Sequence, residues 1–287
     1  MSKKDHGRIP FMISYHLRDI DYERISRLVY EQCGIYLHDG KKELVKARLG
    51  KRLREGNFKS FGDYYHYVNS DEGRDELISM IDSLSTNLTY FFREENHFQK
   101  LRQIIQLMLK EPGHNGKSGK KIRIWSAGCS TGEEPYSLAI TVCECTNGSS
   151  GDVKITATDI STRALQSAVK GIFNQEKLKN MPMVIMKKYF QVGCGQWEGY
   201  YSIKKNIRDM IQFSRFNLME TPPSSFRFDI IFCRNVMIYF DKATQAVVVN
   251  RFYQCLNEGG HLFIGHSESL TGLSHDFKYI EPSVYRK

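Results

Sequence analysis

The chain has 287 residues, and its 41 Lys and Arg against 32 Asp and Glu give a formal net charge of +9. Hydrophobic residues make up 41% of the chain, aromatic residues 12% and charged residues 25%. This composition excludes a disordered, collagen-like or disulfide-stapled chain and predicts a globular protein with one large domain or two smaller ones.

Targeting signals and cysteines indicate the compartment. The sequence has no apolar run of about 18 residues, the length needed to span a membrane, and residues 1–7 lack the apolar stretch of a signal peptide. The seven cysteines are odd in number and contain no C-x-x-C pair. We therefore predict reduced thiols, no metal site and a cytoplasmic location.

The first part of the chain has a helical pattern. Apolar residues recur at helical spacing over residues 13–88, without the alternation of a strand, and predict a small all-helical N-terminal domain. Residues 89–120 are predicted to be a linker, with a helix at 96–109 and a turn-rich exposed loop at 111–119.

From residue 121 onward, apolar strand-like runs alternate with helical patterns of about 10 to 15 residues. This order predicts a parallel, doubly wound sheet, and therefore an α/β, Rossmann-like domain over 121–287. The predicted strands are 122–127, 153–159, 210–214, 228–233 and 261–265, and the predicted helices are 134–145, 161–169 and 242–256.

One segment interrupts the alternation. Residues 187–213 have no helical period and contain a Gly193-Cys-Gly195 turn between short apolar runs. We predict a small antiparallel β insertion there.

The first strand-to-helix turn of this domain contains Gly128 and Gly132. Glycines at such a turn let a ligand approach the backbone, beside the free amides of a helix N-terminus. Glu133 and Glu134 follow where the pyrophosphate of a dinucleotide would lie, and they would repel it. The turn therefore favours a cationic ligand such as S-adenosylmethionine. The alternative is that Glu133 only interacts with the helix dipole.

Asp159 ends the second predicted strand. Rossmann-like folds place an acidic residue there to bind ribose hydroxyls, although such a residue can also cap the next helix. Ser161 can supply that cap alone, which would leave Asp159 free for a ligand.

Two short segments are similar to motifs of other classes of protein. Gly128-x-Ser130-x-Gly132 matches the nucleophile elbow of α/β-hydrolases, but helical patterns occupy the region where earlier strands are required. Gly116-Lys117-Ser118 is similar to a phosphate-binding loop, but it lacks the first glycine and precedes a strand. We predict that Gly116-Lys117-Ser118 lies in an exposed loop.

Four stretches resemble the motifs of a known family in the same order. They are Thr86–Glu94, Trp125–Ser137, Ala157–Ile160 and Phe228–Phe240. On these motifs, and over almost the whole chain, the sequence resembles the chemotaxis receptor methyltransferases, the CheR family. The resemblance implies a protein-glutamate O-methyltransferase that uses S-adenosylmethionine and acts on bacterial chemoreceptors in signal transduction.

The resemblance also implies a cofactor site. Asp159 would bind the ribose, Asn217 and Leu218 the adenine, and Glu133 with Asn235 the methionine end. The residues that the resemblance places around the cofactor are Asn87, Thr89, Arg93, Glu133, Asp159, Asn217, Leu218, Arg234 and Asn235.

Two of the residues carried over would be catalytic. Arg93 and Tyr239 would face the methyl group and the incoming carboxylate. A glutamate is already an anion at neutral pH, so neither a general base nor a metal is expected, and alignment would supply the catalysis. For Tyr239, packing beneath the helix that follows Asp241 is the alternative.

The helical domain contains a basic stretch. Residues 41–59 hold eight basic residues against two acidic ones, which is +6 of the net +9. On a helical projection Lys41, Arg48, Lys51, Arg52 and Arg54 share one arc, opposite an apolar stripe. We take the candidate residues for binding an acidic partner to be Lys41, Lys46, Arg48, Lys51, Arg52 and Arg54.

Charge alone leaves three interpretations of this stretch. It can be a solvated face, a surface for nucleic acid, or, as the resemblance implies, the surface that meets the acidic helical bundle of a chemoreceptor. The loop at 192–199 also resembles the glycine-bearing version that docks a receptor's C-terminal pentapeptide on a β-sheet edge. We expect a monomer that associates with receptor arrays only peripherally.

Two other functions remain as alternatives. A nucleic-acid methyltransferase is disfavoured because the chain reads Arg234-Asn-Val-Met-Ile-Tyr239 where amino-methylating enzymes have Asn/Asp-Pro-Pro-aromatic. A non-catalytic adaptor that binds S-adenosylmethionine is disfavoured by the presence of Arg93, Glu133 and Asp159.

Overall fold

The computed structural model describes residues 15–85, 87–110, 121–146 and 153–287, and it divides the chain into two units. The first unit runs to Leu28 and resumes over Leu37–Leu84, and the second comprises Val29–Tyr36 and Ser85–Lys287. The loop predicted at 111–119, with Gly116-Lys117-Ser118, and the N-terminal residues 1–7 lie outside the described residues.

The first unit is all helical, as the sequence predicts. Its helices are α1 (Asp19–Cys33), α2 (Lys42–Glu55), α3 (Phe61–Val68) and α4 (Arg74–Leu84). The apolar stripe of α2 is completely buried at Val45, Leu49 and Leu53. Ser60 begins α3 as its N-cap, since its Oγ accepts a hydrogen bond from the Asp63 N–H at 3.1 Å.

The end of α1 falls in the second unit, although the sequence pattern assigns it to the helical domain. Tyr30 Oη donates to Asp241 Oδ2 at 2.9 Å, and the Tyr36 N–H donates to the Tyr239 carbonyl at 2.8 Å. These hydrogen bonds join Val29–Tyr36 to residues more than two hundred positions later, which periodicity within one helix does not reveal.

The second unit contains a seven-stranded sheet and a three-stranded sheet. The strands are β1 (Ile122–Ala127), β2 (Val153–Asp159), β3 (Ile172–Asn174), β4 (Phe190–Val192), β5 (Tyr200–Ile203), β6 (Ile211–Arg215), β7 (Phe228–Cys233), β8 (Leu256–Ile264), β9 (Lys278–Glu281) and β10 (Val284–Arg286). The large sheet has the order β6-β2-β1-β7-β8-β10-β9, and its first five strands are parallel. The Rossmann-like prediction is confirmed, whereas antiparallel β9 and β10 were not predicted.

Helices cover both faces of the large sheet. The helices of this unit are α5 (Glu95–Lys110), α6 (Glu133–Cys145), α7 (Thr162–Lys170), α8 (Gln175–Leu178), α9 (Met183–Tyr189), α10 (Lys205–Arg208) and α11 (Lys242–Cys255). One core cluster joins α5 and α6 to the sheet, and the other packs α11 around Trp125. Trp125 is fully buried, and its indole N–H donates to Thr158 Oγ1 at 2.9 Å.

The β insertion is the three-stranded antiparallel sheet, in the order β3-β5-β4. It begins at Ile172, earlier in the chain than the sequence pattern indicates, and encloses α8 and α9. Ile211–Arg215 pairs with β2 in the large sheet instead. Strands of three residues are too short to show a period, so their pairing becomes visible only in three dimensions.

None of the helices in the described residues is both long enough and apolar enough to cross a membrane.

Candidate functional site

The candidate site lies at the carboxyl ends of the parallel strands, where the turn after β1 meets the end of β2. The N–H groups of Gly128 and Cys129 both donate to the Thr158 carbonyl, at 2.8 and 2.9 Å. Gly128 has φ +87°, and a Cβ on it would lie 2.4 Å from a methyl group of Val236. Only glycine therefore allows this turn to lie so close to the end of β7.

Asp159 fixes the same turn. Its carboxylate is 8% exposed and accepts hydrogen bonds from the N–H groups of Ser130 and Ser161, both at 2.8 Å. Ser161 is the N-cap of α7, as predicted, because its Oγ accepts from the Ala164 N–H. The expectation that Asp159 would be left free is wrong, since it holds two backbone amides.

Glu133 is completely buried at the start of α6. Its carboxylate accepts from Lys177 Nζ at 2.8 Å and from Thr131 Oγ1 at 2.6 Å. Lys177 also donates to the Thr89 carbonyl at 3.1 Å. Lys177 was missed by the sequence analysis, and it ties two predicted cofactor residues to the β insertion.

Arg234 forms a buried ionic cluster with two glutamates. Its guanidinium lies 3.0 Å from Glu94 Oε2 and 3.2 Å from Glu134 Oε2, and it also donates to the Arg93 carbonyl. Ser126 Oγ donates to the other oxygen of Glu134 at 2.7 Å. The Arg234 side chain is committed to this cluster, so only its backbone remains for the predicted contact with a cofactor.

The cluster shifts the acidity of its carboxyl groups. Burial raises the pKa of Glu134 above its usual value, and Arg234 opposes that rise. Burial also opposes ionisation of Glu94, but the guanidinium of Arg234 outweighs it and lowers the pKa of Glu94. Among the described residues, Arg234 is the cation that compensates these two partly buried acids.

The segment before α5 carries three of the predicted residues. Asn87 Oδ1 accepts from Ser130 Oγ at 3.1 Å, which attaches the segment to the β1–α6 turn. Arg93 Nη1 donates to the Leu88 carbonyl at 3.0 Å, and its guanidinium lies 5.7 Å from the centre of the Tyr90 ring. The backbone of Arg93 is held by Arg234, so its side chain projects from a fixed point.

Asn235 and Tyr239 follow β7. Asn235 has φ +59°, a left-handed conformation that asparagine tolerates better than most residues. Tyr239 ends a short helical turn (Met237–Tyr239) and is half-buried. Asp241 then caps α11 through Thr244. Both interpretations of Tyr239, catalysis and packing, are compatible with this position.

Asn217 and Leu218 follow β6. The strand end is tied to β2 because the Phe216 N–H donates to the Asp159 carbonyl at 3.1 Å. The side-chain amide of Asn217 donates to the Gln32 carbonyl at 2.7 Å and accepts from the Met219 N–H at 3.0 Å. Each of these bonds uses one N–H or one lone pair of the amide, and a side-chain amide has two of each.

The basic residues of α2 lie in the first unit, and part of their charge is compensated there. Arg52 Nε lies 2.9 Å from Glu76 Oε1 of α4, and its Nη1 lies 2.9 Å from Glu55. Arg48 donates to the Leu84 carbonyl at 2.6 Å. Longer ion pairs of 3.8 Å join Lys46 to Glu43 and Lys51 to Glu55, while Lys41 and Arg54 are exposed and have no ion pair within the described residues.

Glu94, His97 and His266 bring three potential metal ligands within 4.8 Å of one another. Arg234 already donates to Glu94 there, so a metal cation would lie beside a guanidinium and be repelled. Burial and the nearby Arg234 lower the pKa of His97 to about 3, so its ring is neutral. The cluster is mixed in burial, with His97 buried and His266 exposed.

The side chains around this turn fit S-adenosylmethionine. A buried carboxylate at Glu133 suits an ammonium group, and the strand-terminal Asp159 suits a ribose. The acidic start of α6 disfavours phosphate.

Comparisons with known proteins agree with this geometry. The family model "CheR methyltransferase, SAM binding domain" matches residues 87–286, and "CheR methyltransferase, all-alpha domain" matches residues 20–85. The fold, the glycine turn and these matches define an S-adenosylmethionine-dependent methyltransferase. The chain belongs to the CheR methyltransferase family.

Relatives match over nearly their full lengths. The "Chemotaxis protein methyltransferase" of Borreliella burgdorferi is 39% identical over 280 residues, which cover 96% of this chain and 97% of that protein. The protein of the same name from Escherichia coli is 39% identical over 272 residues, covering 94% and 91%. The solved N-methyltransferase NodS from Bradyrhizobium japonicum is 17% identical, covers 58% of this chain and 61% of its own, and has a TM-score of 0.31, too low to support an argument.

Proposed function

We propose that this methyltransferase esterifies specific glutamates in the cytoplasmic region of bacterial chemoreceptors, for adaptation in chemotaxis signalling. The observation that carries the proposal is the 39% identity, over almost the whole chain, to proteins named chemotaxis protein methyltransferase. The enzyme then works in the cytoplasm, as a monomer, and meets membranes only through receptor arrays.

The proposed reaction is a displacement at carbon. S-adenosylmethionine supplies a methyl group activated by its sulfonium charge. A carboxylate oxygen of the substrate glutamate forms a bond to that methyl carbon as the carbon–sulfur bond breaks, and the electron pair remains on sulfur. The products are a glutamate methyl ester and neutral S-adenosylhomocysteine. No proton moves, so the protein has to bind, align and exclude water.

The site residues receive roles on this basis. Arg93 spends one guanidinium N–H on the Leu88 carbonyl and retains others that can orient the incoming carboxylate. Tyr239 is assigned to the same reacting end. The proposed cofactor contacts come from side chains or backbone of Asn87, Thr89, Arg93, Glu133, Asp159, Asn217, Leu218, Arg234 and Asn235.

Transfer of a labelled methyl group to receptor-rich membranes tests the function. We expect the wild type to leave label that mild base releases as volatile methanol, which identifies a carboxyl methyl ester. Arg93→Ala should lower the initial rate about 100-fold or more, because it removes a positioned donor from the reacting end. Arg102→Ala, an exposed arginine on α5, is the matched control and should keep the wild-type rate.

Other outcomes would count against the proposal. Label that survives base would indicate an N- or C-methylated acceptor and favour the nucleic-acid alternative. Measurable cofactor binding without label on any of a panel of receptors would favour the adaptor. Equal rates for wild type and Arg93→Ala would remove Arg93 from the catalytic group.

We propose that Lys41 and Arg54, two exposed residues of the basic stretch at 41–59, contact the acidic receptor surface. Lys41 and Arg54 carry this proposal because Arg52 is already paired with Glu76 and Glu55. Charge reversal to Lys41→Glu and Arg54→Glu should lower kcat/KM for receptor by about 10-fold at low salt, and the effect should shrink at high salt because exposed charges are screened. Cofactor affinity should stay unchanged.

Lys154→Glu is the control for that experiment, since Lys154 is an exposed lysine on β2, outside the proposed surface. If Lys154→Glu lowers kcat/KM as much as Lys41→Glu and Arg54→Glu do, the effect comes from the overall charge, and the proposed contact at Lys41 and Arg54 is wrong.

We also propose that the β insertion can dock a receptor's C-terminal pentapeptide by strand addition. β3 and β4 are the edges of the small sheet, and Val192 at the end of β4 and Trp197 in the turn that follows are 67% and 49% exposed. Removing the last five residues from a receptor that carries the pentapeptide should slow its methylation at micromolar receptor, because a tether raises the local concentration to the order of millimolar. Equal rates with and without these residues would contradict tethering.

A further inference from the structure

Glu268 connects the two loops that leave neighbouring strands at the site. Its Oε2 accepts from the Gly265 N–H at 2.5 Å, after β8, and from the Asn235 N–H at 2.9 Å, after β7. Its Oε1 accepts from the Ile238 N–H at 3.3 Å. One carboxylate thus holds three backbone amides.

The loop that Glu268 holds carries two residues of the proposed site. Asn235 is left-handed at φ +59°, and a conformation of that kind persists where its surroundings fix it. Ile238 lies in the middle of the short turn that ends at Tyr239, and the Tyr239 N–H closes that turn on the Val236 carbonyl at 3.1 Å. The hydrogen bonds of Glu268 therefore fix both the start and the middle of this loop.

Gly265 allows the end of β8 to lie close to Asn235 and Glu268. A Cβ on Gly265 would lie 2.6 Å from Asn235 Nδ2, 2.9 Å from the Asn235 amide nitrogen and 2.9 Å from Glu268 Oε2. The φ of Gly265 is outside the left-handed region, so an alanine there is excluded by volume alone. Gly265 and Glu268 therefore both control the position of Asn235.

We infer that Glu268 is a positioning residue that sets the Asn235–Tyr239 loop for cofactor binding and methyl transfer. Glu268 does not belong to the set of residues proposed to touch the cofactor or substrate, and it acts through Asn235 and Tyr239. This inference rests on the proposed function for the role of Tyr239, while its effect on cofactor affinity can be measured without a receptor.

The test compares Glu268→Ala, Glu268→Gln and Gly265→Ala with the wild type. S-adenosylhomocysteine affinity is measured by calorimetry, and kcat by labelled methyl transfer. We expect Glu268→Ala and Gly265→Ala to weaken affinity about 5-fold and to lower kcat about 10-fold or more, because small misplacements of a reacting group are costly. Glu268→Gln keeps one acceptor oxygen and should fall between Glu268→Ala and the wild type.

Val153→Ala controls for a general loss of stability. Val153 is buried at the beginning of β2, at the opposite end of this strand from the site. Its truncation should lower the unfolding temperature without moving the Asn235–Tyr239 loop. At a temperature where all variants are folded by circular dichroism, Val153→Ala should keep the wild-type affinity and kcat.

Two results would overturn the inference. One is a folded Glu268→Ala with affinity and kcat within about twofold of the wild type, which is less than a single lost hydrogen bond to a charged group would produce. The other is an equal decline in Val153→Ala, which would make the effect one of stability. If the wild type methylates no receptor, the proposed function fails, and the affinity measurements still decide whether Glu268 positions Asn235.

Discussion

Replacing Arg234 with methionine is expected to lower the free energy of unfolding by about 3–5 kcal/mol, the usual cost of leaving buried charges without their partner. The Arg234 side chain is 2% exposed, so water screens its ion pairs little. Without the guanidinium, the carboxylates of Glu94 and Glu134 face each other in the interior, and the Arg93 carbonyl loses its donor. Methionine fills most of the volume, so the loss is one of charge and hydrogen bonds.

Urea denaturation measures this change. Arg227→Met is the matched control, because Arg227 is exposed and bonds only to the neighbouring Phe226 carbonyl within the described residues. Its loss should stay below about 1 kcal/mol, as for surface charges in general. Adding Glu134→Gln to Arg234→Met should recover part of the stability, because it removes one of the uncompensated charges. A loss in Arg234→Met no larger than in Arg227→Met would contradict the ionic cluster.

The pH dependence of stability is a second test of the cluster formed by Arg234, Glu94 and Glu134. Arg234 lowers the pKa of Glu94 below the ordinary value of 4.5. A carboxyl group with a lowered pKa stabilises the fold at pH values above that ordinary value, and this contribution is lost as the pH falls through the lower, folded value. The stability difference between the wild type and Glu94→Gln should therefore be constant near neutral pH and shrink below about pH 4.5. A difference independent of pH would contradict the shift.

The strands of the sheet centre could be predicted closely from sequence. The observed bounds of β2 and β7 are the predicted ones, because β7 is a mostly apolar run followed by Arg234 and β2 ends at Asp159, just before the N-cap of α7. The strands β9 and β10 were missed because they are only four and three residues long, and Tyr279 and Ile280 of β9 are exposed. The pairing of β10 with β8, and of β9 with β10, is set by tertiary contacts, which local periodicity does not encode.

The partners of the site residues were beyond sequence reasoning for a different reason. Lys177 lies 44 residues from Glu133, and Arg234 lies 140 residues from Glu94. Charge counting along the chain identifies acids and bases but does not pair them over such separations. The basic arc of α2 shows the same limit, since its projection is correct for one helix, whereas Glu76 on α4 neutralises Arg52.

Substituting Glu133 with glutamine should weaken S-adenosylhomocysteine binding about 10- to 100-fold, because a buried carboxylate opposite an ammonium contributes a charge-assisted hydrogen bond that an amide does not replace. The side chain is completely buried, so its charge is poorly screened. Lys177, its present partner, is 38% exposed and can turn toward water, so the fold should lose little.

The ligand 5′-methylthioadenosine separates charge from shape in that experiment, since it keeps the adenosine and thioether but lacks the amino-acid end. Glu133→Gln should bind it within about twofold of the wild type, because a difference below roughly 0.4 kcal/mol is expected where no charged group is lost. Glu281→Gln is the control variant, since Glu281 pairs with Lys100 outside the proposed site. If Glu133→Gln weakens both ligands equally, Glu133 supports the turn at Gly128 and does not bind the ammonium group, and the acceptor for that group has to be sought elsewhere around the site.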